Sequence, residues 1–171
     1  MDTLIKALQG TPWWVYVLFF YLLSLGIKAI KPMIIPLKKL FLLPGVFLVW
    51  SLWNLNNNFG LNFTKWMLWL AALSIGAFSG WLINRSFKLK ADKSKMLVTT
   101  PGGYSTLVMI LLIFLTKYFF GYTYSTHPEA KQVAFIVFAD ILSSGVITGL
   151  FVGRGLTFLY KFKKAKSESL A

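Results

Sequence analysis

Three ionisable side chains interrupt otherwise apolar stretches of this 171-residue chain: Lys117, Asp140 and Arg154. A charge inside an apolar run of membrane length is costly, so it pairs, meets water or serves a ligand. Lys117 lies about six residues, roughly 9 Å, inside one end of its stretch, and Asp140 about seven residues, roughly 10 Å, inside the same-side end of its own. The matched depths predict a Lys117–Asp140 pair, with Tyr118, Ser143 and Ser144 beside it as a ligand-binding centre. Such a pair would fix helix register as well as carry chemistry, since a buried ion pair serves specificity more than net stability. Arg154, near the opposite end of its stretch, is expected to snorkel towards lipid phosphates.

Other chemistry finds little support. His127, Pro128 and Glu129 place the only histidine beside one carboxylate, short of the three or four ligands a metal needs. Cysteine is absent, which removes disulfides, thiolate metal sites and thiol redox chemistry. No nucleophile with a base, paired carboxylates or phosphate-cradling loop occurs. The expectation is a protein without catalytic residues, metal or cofactor. The triplet Asn62, Phe63, Thr64 matches a glycosylation acceptor but hugs the edge of an apolar run, and is read as a plain turn.

The elements that would carry the charged residues show an internal repeat. Gly76 to Arg85 aligns without a gap on Gly145 to Arg154. Gly76 and Gly80 in one copy, and Gly145, Gly149 and Gly153 in the other, recur every four residues, the spacing that lets membrane helices approach closely. A Pro-Gly pair lies upstream of each copy, Pro44-Gly45 and Pro101-Gly102, and is read as opening another apolar run. On a helix of about 3.6 residues per turn, Asp140, Ser143, Ser144, Phe151 and Arg154 fall within about 60° of one direction, and Gly149 points nearly opposite. The last apolar segment thus has two faces turned from lipid and is expected to be the central helix.

Apolar periodicity and breakers predict five spans, at about 13–30, 37–54, 65–84, 104–122 and 132–160, in one all-α membrane domain: a leading helix plus two repeated helical hairpins. Residues 2 to 10 suggest a short surface helix. The first apolar segment lacks a basic leader with a small-residue cleavage site and is expected to stay as a span. Residues 86 to 99 alternate apolar and polar around a turn at Ala91 to Ser94, suggesting a small β-hairpin with Phe87, Leu89, Met96 and Val98 on one face.

With 57% hydrophobic, 18% aromatic and 13% charged residues, the composition excludes an ordinary soluble domain. The net charge of +13 lies mainly in three basic clusters, around Lys28 to Lys39, Arg85 to Lys95 and Lys161 to Lys166. They alternate with nearly uncharged connections, so all three fall on one side, the cytoplasmic one, with the N-terminus outside and the C-terminus inside. Lys88, Lys90, Lys93 and Arg154 are expected at headgroup level, each worth about 1 kcal/mol against an anionic leaflet. Anionic lipid is the expected partner, not nucleic acid.

Gly102 with Pro101, the stretch Phe114 to Gly121 containing Lys117 and Tyr118, the following His127-Pro128 and the basic loop after the first span together resemble a group of small bacterial multi-pass membrane proteins, some called CcdC-like after cytochrome c biogenesis. The resemblance implies a bacterial inner-membrane location and helical hairpins. It brings no catalytic residues, and the lack of cysteine removes any direct part in thiol chemistry. The reading that results is transport or binding of a small solute, ion or lipid at an intramembrane polar site, in a homodimer that completes the wall around it. The alternative is a non-catalytic membrane adaptor or assembly factor whose glycine ladders bind another membrane protein.

Overall fold

The computed structural model describes residues 11–60, 62–87, 89–100 and 102–168. The surface helix expected at residues 2 to 10, and Lys88 and Pro101, lie outside them. Among these residues five α-helices form: α1 (Trp13–Lys28), α2 (Leu37–Phe59), α3 (Phe63–Asn84), α4 (Tyr104–Thr126) and α5 (Ala134–Lys164). Three short strands, β1 (Met33–Pro36), β2 (Ala91–Asp92) and β3 (Leu97–Thr100), and a 3-10 turn at Pro128–Gln132 accompany them. By length and composition α2 to α5 are able to cross a membrane, over Leu37–Asn57, Phe63–Asn84, Tyr104–Thr126 and Ala134–Lys164. The first apolar segment falls short of the expected span: α1 has 16 residues, about 24 Å of helix against a hydrocarbon core of about 30 Å. It stops because Pro32 biases the preceding residue away from helix and extended strand begins at Met33.

The chain divides into two compact units, Met1–Pro32 with Gly102–Ala134, and Met33–Pro101 with Phe135–Ala171. The fourth and fifth apolar segments, expected to pair as a hairpin, therefore fall in different units. In the first unit α1 packs on α4. Phe19 and Phe114 meet at 4.9 Å between ring centroids, and the Tyr118 hydroxyl lies 2.6 Å from Thr11 Oγ1. Gly102, at φ +65°, has the left-handed backbone that favours glycine, and a Cβ there would run into the Pro32 nitrogen and Ile30 oxygen. Gly103 N–H then donates to the Ala29 carbonyl at 3.2 Å, tying the start of α4 to the end of α1.

The second unit holds α2, α3, α5 and the sheet. β3 is the middle strand, antiparallel to both neighbours in the order β1-β3-β2. The hairpin read from the sequence is present, but its turn is shifted to Lys93–Met96 and a third strand joins it. The shift follows from Asp92, whose carboxylate accepts from Ser94 N, Ser94 Oγ and Lys95 N at 3.0, 2.6 and 3.1 Å, closing the turn after itself. Met96 takes φ +54° at the turn's end and is 47% exposed, while Val98 is buried, so the four residues expected on one face do not share it. Val98 and Ala91 instead pack with Leu37 and Phe162, which anchors the sheet on the start of α2 and the end of α5.

Pro44 lies inside α2, which begins seven residues earlier, so the first Pro-Gly pair interrupts a helix rather than opening one. Membrane-type helices tolerate this when neighbours cover the freed backbone group, and Pro44 packs near Gly155 of α5. Asn62 caps α3 by accepting from Lys65 N at 3.3 Å, which accounts for an asparagine at the head of the triplet Asn62 to Thr64.

The glycine repeat is the main packing device of this unit. A Cβ on Gly76 would collide with the Val146 carbonyl and one on Gly80 with that of Leu150, while Gly149 and Gly153 face the carbonyls of Leu73 and Ala77. Gly145 lies on Ala72 and the Trp69 carbonyl. A step of four along α3 is matched by a step of four in the same sense along α5, so the two helices run parallel. The aligned copies lie nearly level, as Gly76 faces Val146, the residue after its counterpart Gly145. Each glycine removes a side chain that would hold the backbones apart, and the gain is dispersion and Cα–H···O contact along the seam.

Candidate functional site

Polar side chains gather in the second unit where α2, α3 and α5 meet. Trp69 of α3 donates its indole N–H to Ser51 Oγ of α2 at 2.8 Å. Ser51 Oγ in turn lies 3.0 Å from Ser144 Oγ of α5. Thr148 Oγ1 donates to the Ser144 carbonyl at 2.8 Å, one turn further along α5. All four side chains are buried. The surroundings are apolar, built from Leu55, Val137 and Ile141 with Leu52, Trp66 and Leu73 packed against them. In that medium each hydrogen bond strengthens, and the loss of one partner exposes the other to the full cost of desolvation.

Asp140 is four residues before Ser144 on the same face of α5 and is 2% exposed. It is buried beside the hydroxyl chain, in the most enclosed of the long helices: half of the apolar stretch of α5 is buried within the protein, against 22% or less for α2, α3 and α4. The two-faced character expected of the last segment is thus realised, since Gly145, Gly149 and Gly153 bury one side and Asp140, Ser144 and Phe151 another. Ser143, the remaining α5 residue expected at the site, turns its hydroxyl to the Asp140 carbonyl at 3.0 Å, within its own helix.

Lys117 and Tyr118 belong to α4 in the first unit. The Tyr118 ring stacks between Phe114 and Tyr122, at 6.0 and 6.4 Å between centroids, one turn to either side. Asp140 and Ser144 thus share a face of α5 in the second unit, and Lys117 and Tyr118 lie on α4 in the first. Ser51 and Trp69 were not anticipated. Ser51 had a signal, being the only hydroxyl between Lys39 and Asn54, whereas Trp69 is one of seven tryptophans with nothing to single it out.

A second polar node closes the far end of α3. The Lys161 ammonium donates to the carbonyls of Asn84 and Arg85, both at 2.8 Å, and to that of Phe87. These are the carbonyls a helix leaves unsatisfied at its C-terminus, where positive charge is favoured. Asn84, 2% exposed, donates its own amide to the Gly80 carbonyl at 2.7 Å. Arg154 is half-buried with its guanidinium 5.6 Å from the Phe158 ring. Of the expected headgroup lysines, Lys90 approaches Glu168 at 3.9 Å and Lys93 donates to the Lys163 carbonyl at 3.1 Å.

In the connection after α4, His127 Nδ1 lies 3.0 Å from Glu129 Oε1. The Glu129 carboxyl is held below its ordinary range by a hydrogen bond to its own backbone and, next, by His127. Both side chains are exposed. Among the described residues no three His, Cys, Asp or Glu side chains gather in a way that could hold a metal ion.

No curated protein and no solved structure matches the chain. A family pattern covers residues 1–169. The chain belongs to that family, DUF6622, a family of unknown function.

Proposed function

We propose that this is a multi-pass protein of a bacterial cytoplasmic membrane that binds or transports a small solute, ion or lipid at the polar centre of α2, α3 and α5. The observation that carries this reading is Asp140, a carboxylate 2% exposed in a 31-residue apolar helix and next to a buried chain of hydroxyls. An ionisable residue at such depth is a functional group by default. The long apolar helices suit a membrane location. In this reading α1 serves as a fifth, short span, with Trp13 and Trp14 at one interface and Lys28 at the other, the bilayer thinning locally around it. The parallel, level packing of the two glycine copies supports an internal duplication, and a homodimer completes the wall around the site. The N-terminus lies outside and the C-terminus in the cytoplasm. The role is binding, not catalysis. The adaptor reading would offer the glycine ladders to another membrane protein, but those faces meet each other within the second unit, which favours the binding site.

Native mass spectrometry of the full chain tests this, comparing the wild type with Asp140→Asn and Ser144→Ala. A small-molecule or lipid adduct on the wild type, at least tenfold weaker on a variant that melts within a few degrees of it, is expected. No adduct on the wild type, or the same adduct on both variants, would overturn the reading.

A further inference from the structure

The sheet hangs at one end of the second unit. β1 runs directly into α2, β2 and β3 follow the end of α3, and Ser167, just beyond α5, bridges to Ala91 of β2. Lys161 holds the ends of α3 and α5 level through the Asn84 and Arg85 carbonyls. If these helices cross a bilayer, the sheet lies at its boundary. One face of the sheet packs through Ile35, Val98 and Ala91 on Leu37 and Phe162. The opposite face carries Ile34 beside Thr99, and Leu97 between Pro36 and Asp92; Asp92 is buried with its carboxylate turned to Ser94 and the Lys95 N–H, whereas Ile34 is 49% exposed and Met96, at the adjoining turn, 47%.

Basic groups converge on that exposed apolar surface from two separate stretches. Leu37 N–H donates to the Met96 carbonyl at 2.9 Å, which brings the turn bearing Lys95 against the first turn of α2, where Lys38 and Lys39 are exposed. An apolar centre with a cationic rim, at the boundary of a membrane, is the surface that anionic lipid complements: side chains enter the headgroup layer while ammonium groups meet phosphate.

We propose that the outer face of this sheet, with Ile34, Met96, Lys38, Lys39 and Lys95, docks on anionic lipid headgroups of the same membrane. The proposal is independent of the polar centre around Asp140. The test is the thermal midpoint of the full chain in vesicles of phosphatidylcholine alone, and of phosphatidylcholine with phosphatidylglycerol. Phosphatidylglycerol is expected to raise the wild-type midpoint. Lys38→Gln with Lys95→Gln should lose more than half of that rise, whereas Lys65→Gln with Lys131→Gln, the same charge removed elsewhere, should keep it. Inorganic phosphate added to phosphatidylcholine vesicles should have no effect. No response of the wild type to phosphatidylglycerol would overturn the proposal and leave the face to a protein partner. Equal losses in both double variants would reduce it to net charge, and a full rise with phosphate alone would make it an ion site, either of which also overturns it.

Discussion

Ser51 accepts the indole N–H of Trp69 and shares a hydrogen bond with Ser144, so one hydroxyl ties three helices. Ser51→Ala leaves a buried N–H donor without its acceptor, which costs about 1–3 kcal/mol. In a Trp69→Phe background the same change should cost much less, because the stranded donor is gone. Chemical denaturation of the four proteins in detergent forms the cycle, and equal costs in both backgrounds would contradict the hydrogen-bond account. The residues of the polar centre show what was legible at this scale. Asp140 and Ser144 were readable because they share one helix face, which spacing alone defines. Ser51 and Trp69 reach the same spot from other helices, and no spacing rule reports which turn of α2 or α3 lies opposite a given turn of α5. Ser143 shares that sector too, and its hydroxyl donates to the Asp140 carbonyl of its own helix.

The glycine seam belongs to the scale of elements. Gly149→Ala puts a methyl into the Leu73 carbonyl and forces α3 and α5 apart, so a loss of about 1–3 kcal/mol is expected. Gly149→Leu should abolish the folded protein. Gly45→Ala is the control, for nothing lies within 4 Å of a Cβ there, and it should be neutral or raise stability by up to about 1 kcal/mol by helix propensity. Melting curves of the variants check this, and similar melting of Gly149→Ala and Gly45→Ala would rule out the seam. The helices α2 to α5 and the hairpin were legible as apolar runs and alternation. β1 was not, since Met33 to Pro36 is only four residues, preceded by one proline and ending on another, and its partner Thr100 lies far along the chain. Nonlocal pairing of so short a strand leaves no local pattern. The first Pro-Gly pair misled for a related reason: proline breaks a helix in water but is tolerated where packing covers the gap.

At the scale of the molecule, four helices able by length and composition to cross a membrane among the described residues and membership of a family of unknown function leave the account resting on topology. The depth of Asp140, the level of the sheet and the reach of its lysines all assume that the three basic clusters share the cytoplasmic side. Charge is the ground for that assumption: in the proposed orientation 14 of the 18 Lys and Arg lie on or near the cytoplasmic side, with Lys6, Lys65 and Lys131 opposite. The chain has no cysteine, so single cysteines placed at positions 58, 126, 94 and 169 report orientation without background. An impermeant thiol reagent applied to intact cells should label 58 and 126 and spare 94 and 169 until the membrane is opened. Labelling of 94 and 169 with protection of 58 and 126 would contradict the account.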